Sequence, residues 1–396
     1  MIESNIGAAD KPLRVLQVAK WCSPYVGGIE RVVEDIAAGV NGRAEMELLV
    51  CADGKDTVYE TRANGVKVVR AGKLCKISSM PISFKFLRLF RKMSKNADVI
   101  QFHAPFPWAD LALFLCHRKN AVKTVWWHSD VVRQKKLMFF YKPLMKWFLK
   151  RIDCIYVAGN GIRDHSKYLG KYRDKVKVIH FGLDEKEYLE SPAIPVLTER
   201  LTDKSNKKIL FTGRLVYYKG VEVLLDAFDG IEGAELFIVG EGELHSHIEK
   251  KAKTLKNAGK VHILGALDDV RLKAAYRDCD IFVLPSVQPS ECFGIVQLEA
   301  MIYGKPVINT SLPTSVPEVS LDGESGITVE PGNAEQLRAA IDKLCRDDEL
   351  RERYGREAQK RMREQFNLQI MADKIFRSYV KKYEEKKGTT VTNDRQ

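Results

Sequence analysis

The chain has 396 residues, 45% of them apolar, which suits two domains that each bury a core and excludes bulk disorder. Eight cysteines are scattered singly with no Cys-x-x-Cys pair, arguing against zinc and a disulfide framework and for reduced thiols. The net charge of +12 is uneven: residues 1–184 hold 32 Lys and Arg against 17 Asp and Glu (+15), and the remainder 32 against 35 (−3). Such a basic half suits an anionic partner, whether nucleic acid, phospholipid or a phosphorylated acceptor. Residues 1–11 are polar and no run reaches the roughly 18 apolar residues that span a bilayer. A cytoplasmic chain without a signal peptide is expected.

Residues 13–18 read as an apolar strand. It leads through Gly27 and Gly28 into a helical pattern carried by Ile29, Val32, Val33, Ile36 and Ala37. A strand, a glycine-rich turn and a helix let backbone N–H groups approach a phosphate. The third glycine of the dinucleotide fingerprint is missing, and a glycine pair alone equally makes a plain turn. Segments 47–51, 66–70, 99–102, 124–127, 155–158 and 176–179 read as further strands with helical patterns between them. That alternation predicts a doubly wound parallel sheet with its ligand crevice at the C-terminal strand ends. His103 and His128 each follow such a strand. A lone histidine is usually structural, but that position raises its interest. Two stretches, 84–95 and 133–151, mix Lys and Arg with large apolar residues; the second has seven basic residues and no acid. Each is read either as a helix lying on an anionic membrane or as a core-facing helix with a solvated basic side. Two such segments in one domain favour the membrane.

Residues 185–208 lack strong periodicity and look like a linker. Segment 209–212 starts a second α/β domain, followed by Gly213-Arg214-Leu215 and, further on, Lys219-Gly220. Strands at 235–239 and 261–264 end at glycine turns, Gly240 and Gly265-Ala266-Leu267. Asp278 and Asp280 form a formal Asp-x-Asp, but it precedes a strand directly, so a metal reading is disfavoured. The strand 281–284 stops at Pro285. A polar loop carrying Glu291 follows, then a helix carrying Glu299, and a strand at 307–309. Glu291 is expected near that helix's N-terminus, and Glu299 is read either as a solvated helix residue or as a functional carboxylate. Residues 334–344, 348–365 and 366–383 form amphipathic helices, and 384–396 is expected to fray.

Glu291-Cys292-Phe293-Gly294, then Glu299 after seven intervening residues from Glu291, then Gly304-Lys305-Pro306-Val307, resembles the signature of the retaining GT-B glycosyltransferases of the bacterial mannosyltransferase, or group 1, type. The resemblance implies an α/β fold of two Rossmann-like parallel-sheet domains facing across a cleft. It places an acceptor-side domain at 1–190, a nucleotide-sugar domain at 205–365 and a helix at 366–385 that crosses back. It implies donor-binding roles for Gly27, Gly28, Arg214, Lys219, Gly240, Leu267, Glu291, Phe293, Gly294 and Glu299. His128, Glu291, Arg214 and Lys219 would be catalytic. Arg214 and Lys219 would hold the diphosphate, whose charge grows as it leaves and is stabilised by fixed cations. No cofactor and no metal are required on this reading. The element at 311–316 departs from the pattern, because a Gly-Gly pair is common there, and this leaves the hexose open.

The expected activity is transfer of a hexose, mannose from GDP-mannose, to a lipid-linked glycan in O-antigen or capsule synthesis. The enzyme would sit peripherally on the inner face of the cytoplasmic membrane, with a polyprenyl-linked or other glycan acceptor and an anionic membrane surface as partners. A UDP- or dTDP-sugar donor is the nearest alternative. A GT-B epimerase or a phosphorylase is more distant, as is a nucleic-acid-binding protein, for which no motif is found.

Overall fold

The computed structural model describes residues 11–25, 27–77, 80–130 and 135–393, with side chains over 138–388 of the last segment. The chain forms two compact units. The first comprises residues 1–158, 166–179 and 369–396, and the second 159–165 and 180–368.

The first unit is built on an eight-stranded sheet. Its order is Val176–Val178, Cys154–Val157, Val122–Trp127, Val99–Ala104, Leu13–Val18, Ala44–Cys51, Lys67–Ala71, Val58–Thr61. All pairings are parallel except the last, where the edge strand Val58–Thr61 runs antiparallel to Lys67–Ala71. Parallel strands are covered on both faces and so read as continuous apolar runs. Every residue of Val99–Ala104 and of Val122–Trp127 is buried. The expected strands are present, within a few residues at their ends. Val58–Thr61 escaped sequence reading because an edge strand with three of four residues exposed has no apolar run to betray it.

The two basic amphipathic stretches differ in their packing. Helix Phe84–Met93 is capped by Ser83, whose Oγ accepts from Phe86 N at 3.0 Å, and it buries Phe86 and Phe90 one turn apart. It is a core helix with a solvated basic face. Helix Lys135–Arg151 buries Tyr141, Met145, Phe148 and Leu149 but leaves Phe139 and Phe140 77% and 79% exposed. Residues 133 and 134 of that stretch lie outside the described residues. The last helix, Leu368–Asn393, joins the first unit from Gln369 onward. Tyr379 OH donates to Gln101 Oε1 at 3.1 Å and Tyr156 OH donates to Ser378 Oγ at 2.9 Å.

The second unit has six parallel strands in the order Val261–Gly265, Ala234–Val239, Lys207–Thr212, Ile281–Val283, Val307–Thr310, Gly326–Val329. Its core gathers Ile209, Phe211, Leu224, Leu236, Ile238, Ile281, Ile308 and Ile341. The linker is not slack. Asp278 accepts from Leu197 N and Thr198 N, both at 2.8 Å, and Asp280 accepts from Lys208 N at 2.7 Å. The Asp-x-Asp pair thus fastens the linker to this unit. Glu235 does the same from the next strand. Burial pushes its carboxyl up, but hydrogen bonds from Asn206, His262 and Thr202 outweigh that and hold it at about 2.

Asp110 is buried in the first unit and accepts from Tyr141 OH. Burial pushes its carboxyl up to about 7. A carboxyl raised on folding binds protons more tightly in the native state, so stability falls as pH rises from about 4 to 7. Asp110→Asn keeps an acceptor for Tyr141 and is expected to abolish that component, at most about 4 kcal/mol. Thermal melts at pH 5 and pH 8 check this: the wild type should lose more melting temperature between them than the variant.

Candidate active site

Strand Lys207–Thr212 lies between Ala234–Val239 and Ile281–Val283, where the strand order reverses. Loops leaving the C-terminal ends of strands at such a point diverge and leave room for a ligand. The loop after Lys207–Thr212 carries Arg214 and Lys219; the loop after Ile281–Val283 carries Glu291. Lys219 Nζ lies 2.5 Å from Glu291 Oε2, and both side chains are 11% exposed. Ser286 Oγ donates to the same oxygen at 3.3 Å. Arg214 is exposed, and its Nη2 donates to Tyr218 OH at 3.2 Å.

Glycines floor this edge of the sheet. Gly213 and Gly240 have φ of +145° and +137°, a region that disfavours side chains. A Cβ on Gly240 would fall 1.9 Å from Gly213 O, so the two strand ends meet backbone to backbone. Leu267 is half-buried in the turn that follows Val261–Gly265.

Glu291 sits in the loop ahead of the helix, as expected, and is five residues short of its first turn. The helix spans only Val296–Ile302, and the loop before it is held by a buried amide lattice. Gln297 Nε2 donates to Phe293 O at 3.0 Å, and Asn309 Nδ2 donates to Gln297 Oε1 at 2.9 Å and to Ser320 O at 3.1 Å. Phe293 packs edge-on against Phe181 and Phe366, with ring centroids 5.0 and 6.0 Å away. Its side chain is an anchor, and the backbone at Phe293 and Gly294 is what the loop has left to offer. Gly294 has φ of +71°. Glu299 accepts from Tyr188 OH at 2.9 Å on one oxygen and from Tyr276 OH at 2.6 Å on the other. It is therefore a positioned carboxylate and not a loosely solvated helix residue.

Where the resembled pattern has a glycine pair, Thr314 and Ser315 are buried, and Ser315 N donates to Cys292 O at 2.8 Å. The glycines lie on the opposing segment. A Cβ on Gly161 would fall 2.2 Å from Thr314 O, and one on Gly159 would fall 2.3 Å from Ser315 Oγ. The two segments of this chain therefore meet at close approach, with the glycines on the 159–161 side.

In the first unit, Gly27 is the N-cap of helix Gly28–Val40. His128 follows strand Val122–Trp127 and is 6% exposed. Its Nε2 lies 2.9 Å from Nδ1 of His103, whose Nε2 lies 2.9 Å from Gln17 Nε2. Burial pushes His128 down to about 3 and His103 well below its ordinary value, so both rings are neutral at pH 7. A depression of about 480 Å³ opens beyond strands Ala44–Cys51 and Lys67–Ala71, lined by residues that include Tyr25, Asp53, Asp56 and Arg70. The expected site residues thus form two groups. Gly27, Gly28 and His128 belong to the first unit; Arg214, Lys219, Gly240, Leu267, Glu291, Phe293, Gly294 and Glu299 belong to the second.

Residues 198–361 match the family model "Glycosyl transferases group 1", and residues 26–187 match "Glycosyltransferase Family 4". The O-antigen chain mannosyltransferase C of Escherichia coli is 32% identical over 94% of this chain and 100% of its own length. The chain belongs to the group 1 glycosyltransferases. The D-rhamnosyltransferase WbpZ of Pseudomonas aeruginosa is 34% identical over 89% of this chain and 92% of its own. Among solved structures, Anabaena Alr3699/HepE in complex with UDP-glucose superimposes with a TM-score of 0.75 at 19% identity, over 92% and 99% of the two chains. The two parallel-sheet α/β units are those of the GT-B fold, and the transferase is an enzyme of that class.

Sequence reasoning did not find Tyr188, Tyr276, Ser286, Gln297 or Asn309. Gln297 and Asn309 left a trace as polar residues inside apolar segments; the tyrosines left none.

Removing one member of the Lys219–Glu291 pair leaves a buried charge unpaired. Lys219→Met and Glu291→Gln should each destabilise the transferase by roughly 3–5 kcal/mol, and the double variant by less than their sum. Denaturant unfolding of all four proteins checks this. Additivity would mean that the pair is not coupled.

Proposed function

We propose that the transferase is a retaining mannosyltransferase that moves mannose from GDP-mannose to a lipid-linked glycan in bacterial surface polysaccharide synthesis. The observation that carries the reading is the Lys219–Glu291 pair, with Arg214 on the same loop as Lys219, at the strand-order reversal of the second unit. Lys219 and Arg214 hold the donor diphosphate and stabilise the charge it gains on leaving. Lys219 has three N–H donors, so it can meet a phosphate oxygen while keeping Glu291. Glu291 and the backbone at Phe293 and Gly294 hold sugar hydroxyls, Glu299 holds the ribose, and Gly240 and Leu267 lie against the base. Gly27 and Gly28 face the phosphates, and His128 reaches the transferred sugar.

Both carboxylates of the second-unit site are already engaged, Glu291 by Lys219 and Glu299 by two tyrosines. Neither is set up as a nucleophile, which supports a front-face route over double displacement. In that route the departing phosphate takes the acceptor proton, and no metal is needed. The sugar assignment is supported by the mannosyltransferase relative. Rhamnosyl transfer is the second reading, favoured by the 34% identical D-rhamnosyltransferase. For the acceptor, the depression lined by Tyr25 and Arg70 gives the first unit a largely apolar recess at its strand ends, with Asp53, Asp56 and Arg70 among its lining.

A panel of nucleotide sugars with mass-spectrometric detection of a glycan extended by one residue tests the donor. GDP-mannose should be used, and exclusive use of UDP-sugars would sink the mannose assignment. Arg214→Ala, Lys219→Ala and Glu291→Ala should each lose about 10²–10³-fold in kcat while remaining folded. Full activity in any two rejects these roles.

No described helix is long and apolar enough to cross a membrane. The exposed Phe139 and Phe140, with exposed Lys142 and Lys146 on the same helix, support peripheral attachment to an anionic bilayer. Sedimentation with phosphatidylglycerol-containing vesicles at low salt should retain the transferase, and Phe139→Ser with Phe140→Ser should release most of it. A protein that stays in the supernatant refutes the attachment.

A further inference from the structure

Three neighbouring strands of the first unit each bring one polar side chain into a row: Gln17 on Leu13–Val18, His103 on Val99–Ala104, and His128 just past Val122–Trp127. Gln17 is 0% exposed, His103 3% and His128 6%. An amide and two neutral rings in an apolar sheet are costly unless their protons and lone pairs match.

The matching has one solution. Gln17 Nε2 lies 2.9 Å from Val33 O, which can only accept, so the amide nitrogen must face that carbonyl. Turning the amide over would set two oxygens against each other. The same nitrogen lies 2.9 Å from His103 Nε2. Having only N–H bonds to offer, it makes that ring nitrogen an acceptor. The proton of neutral His103 is therefore on Nδ1, which points at His128 Nε2 across 2.9 Å. His128 Nε2 must then accept, and its own proton must be on Nδ1. Gln17 Oε1, the unused end of the amide, makes no hydrogen bond among the described residues, as expected if orientation is dictated by the donor side.

We infer that Gln17 and His103 are positioning residues that lock His128 as the Nδ1–H tautomer, making it a fixed hydrogen-bond donor to the sugar and not a general base. This rests on the reading of His128 as a sugar-contacting residue. With Nε2 occupied by the His103 proton, His128 has no ring nitrogen left to take a proton from the acceptor. That leaves proton removal to the departing phosphate, in line with the front-face route. The two rings are within 16° of parallel with centroids 5.1 Å apart, as an edge-to-edge N–H···N bond requires, and the Trp126 ring lies 6.3 Å from that of His128.

The test is two-bond proton–nitrogen correlation on the full chain labelled with ¹⁵N-histidine, without substrate, with signals assigned by His103→Asn and His128→Asn. Both rings should be neutral at pH 7 with the proton on Nδ1. Gln17→Met, of similar shape but without donors, should let both rings redistribute their tautomers. It should lower kcat on the order of 10–100-fold with KM for the donor little changed, the scale seen where a partner fixes a histidine tautomer. A wild-type His128 protonated on Nε2, or charged, overturns the proposal. Unchanged spectra in a folded Gln17→Met overturn the role of Gln17, and altered spectra with full activity overturn its bearing on transfer. If Gln17→Met does not fold, the wild-type spectrum decides. A wild type inactive with every nucleotide sugar would count against the proposed function, while the tautomers would still be read.

Discussion

Lys219 and Glu291 are opposite charges almost wholly removed from water, 2.5 Å apart, on loops separated by three strands and three α-helices of sequence. A pair like this is stable only where both partners are held, since either alone would be a buried ion. The second unit supplies the holding. Parallel strands require crossover connections, the strand order reverses at Lys207–Thr212, and the two loops that diverge there are the ones that carry the charges. The amide lattice of Gln297 and Asn309 then fixes the loop before Glu299. The tyrosines fix Glu299 itself. Each layer explains the next: sheet topology places the loops, buried amides set their shape, and that shape places the carboxylates.

The first unit uses neutral groups for the same end. Its polar row across Leu13–Val18, Val99–Ala104 and Val122–Trp127 contains no ion pair, only an amide and two uncharged imidazoles. In a fully covered sheet, a chain of matched donors and acceptors has a defined direction. Charge suits the unit proposed to meet a diphosphate, whereas direction suits the unit proposed to present a single donor to a sugar.

How much of this was legible in the sequence follows from where the information sits. Parallel strands announce themselves because both faces are apolar, so 13–18, 99–102 and 281–284 were readable as runs. Val58–Thr61 was not, because its neighbour is Lys67–Ala71 on one side only. Glu291, Glu299, Arg214 and Lys219 stood out because they share a local pattern with a family. Their partners did not, because Tyr188 reaches Glu299 across 111 residues of chain and Tyr276 across 23. The packing of Gly159 and Gly161 against Thr314 and Ser315 shows the same limit, because no local pattern links the two segments.

The last helix carries a consequence for how the protein comes into being. Ser378 and Tyr379 complete the buried layer around Gln101 and Tyr156, against which Trp126 packs, and His128 next to it. During synthesis, the strands that hold His128 emerge from the ribosome long before these two residues exist. The second unit, 159–165 with 180–368, is fully synthesised before the first unit receives its last segment from Gln369 onward. A nascent or truncated chain ending before Ser378 would therefore expose an unfinished sheet to the cell's quality control.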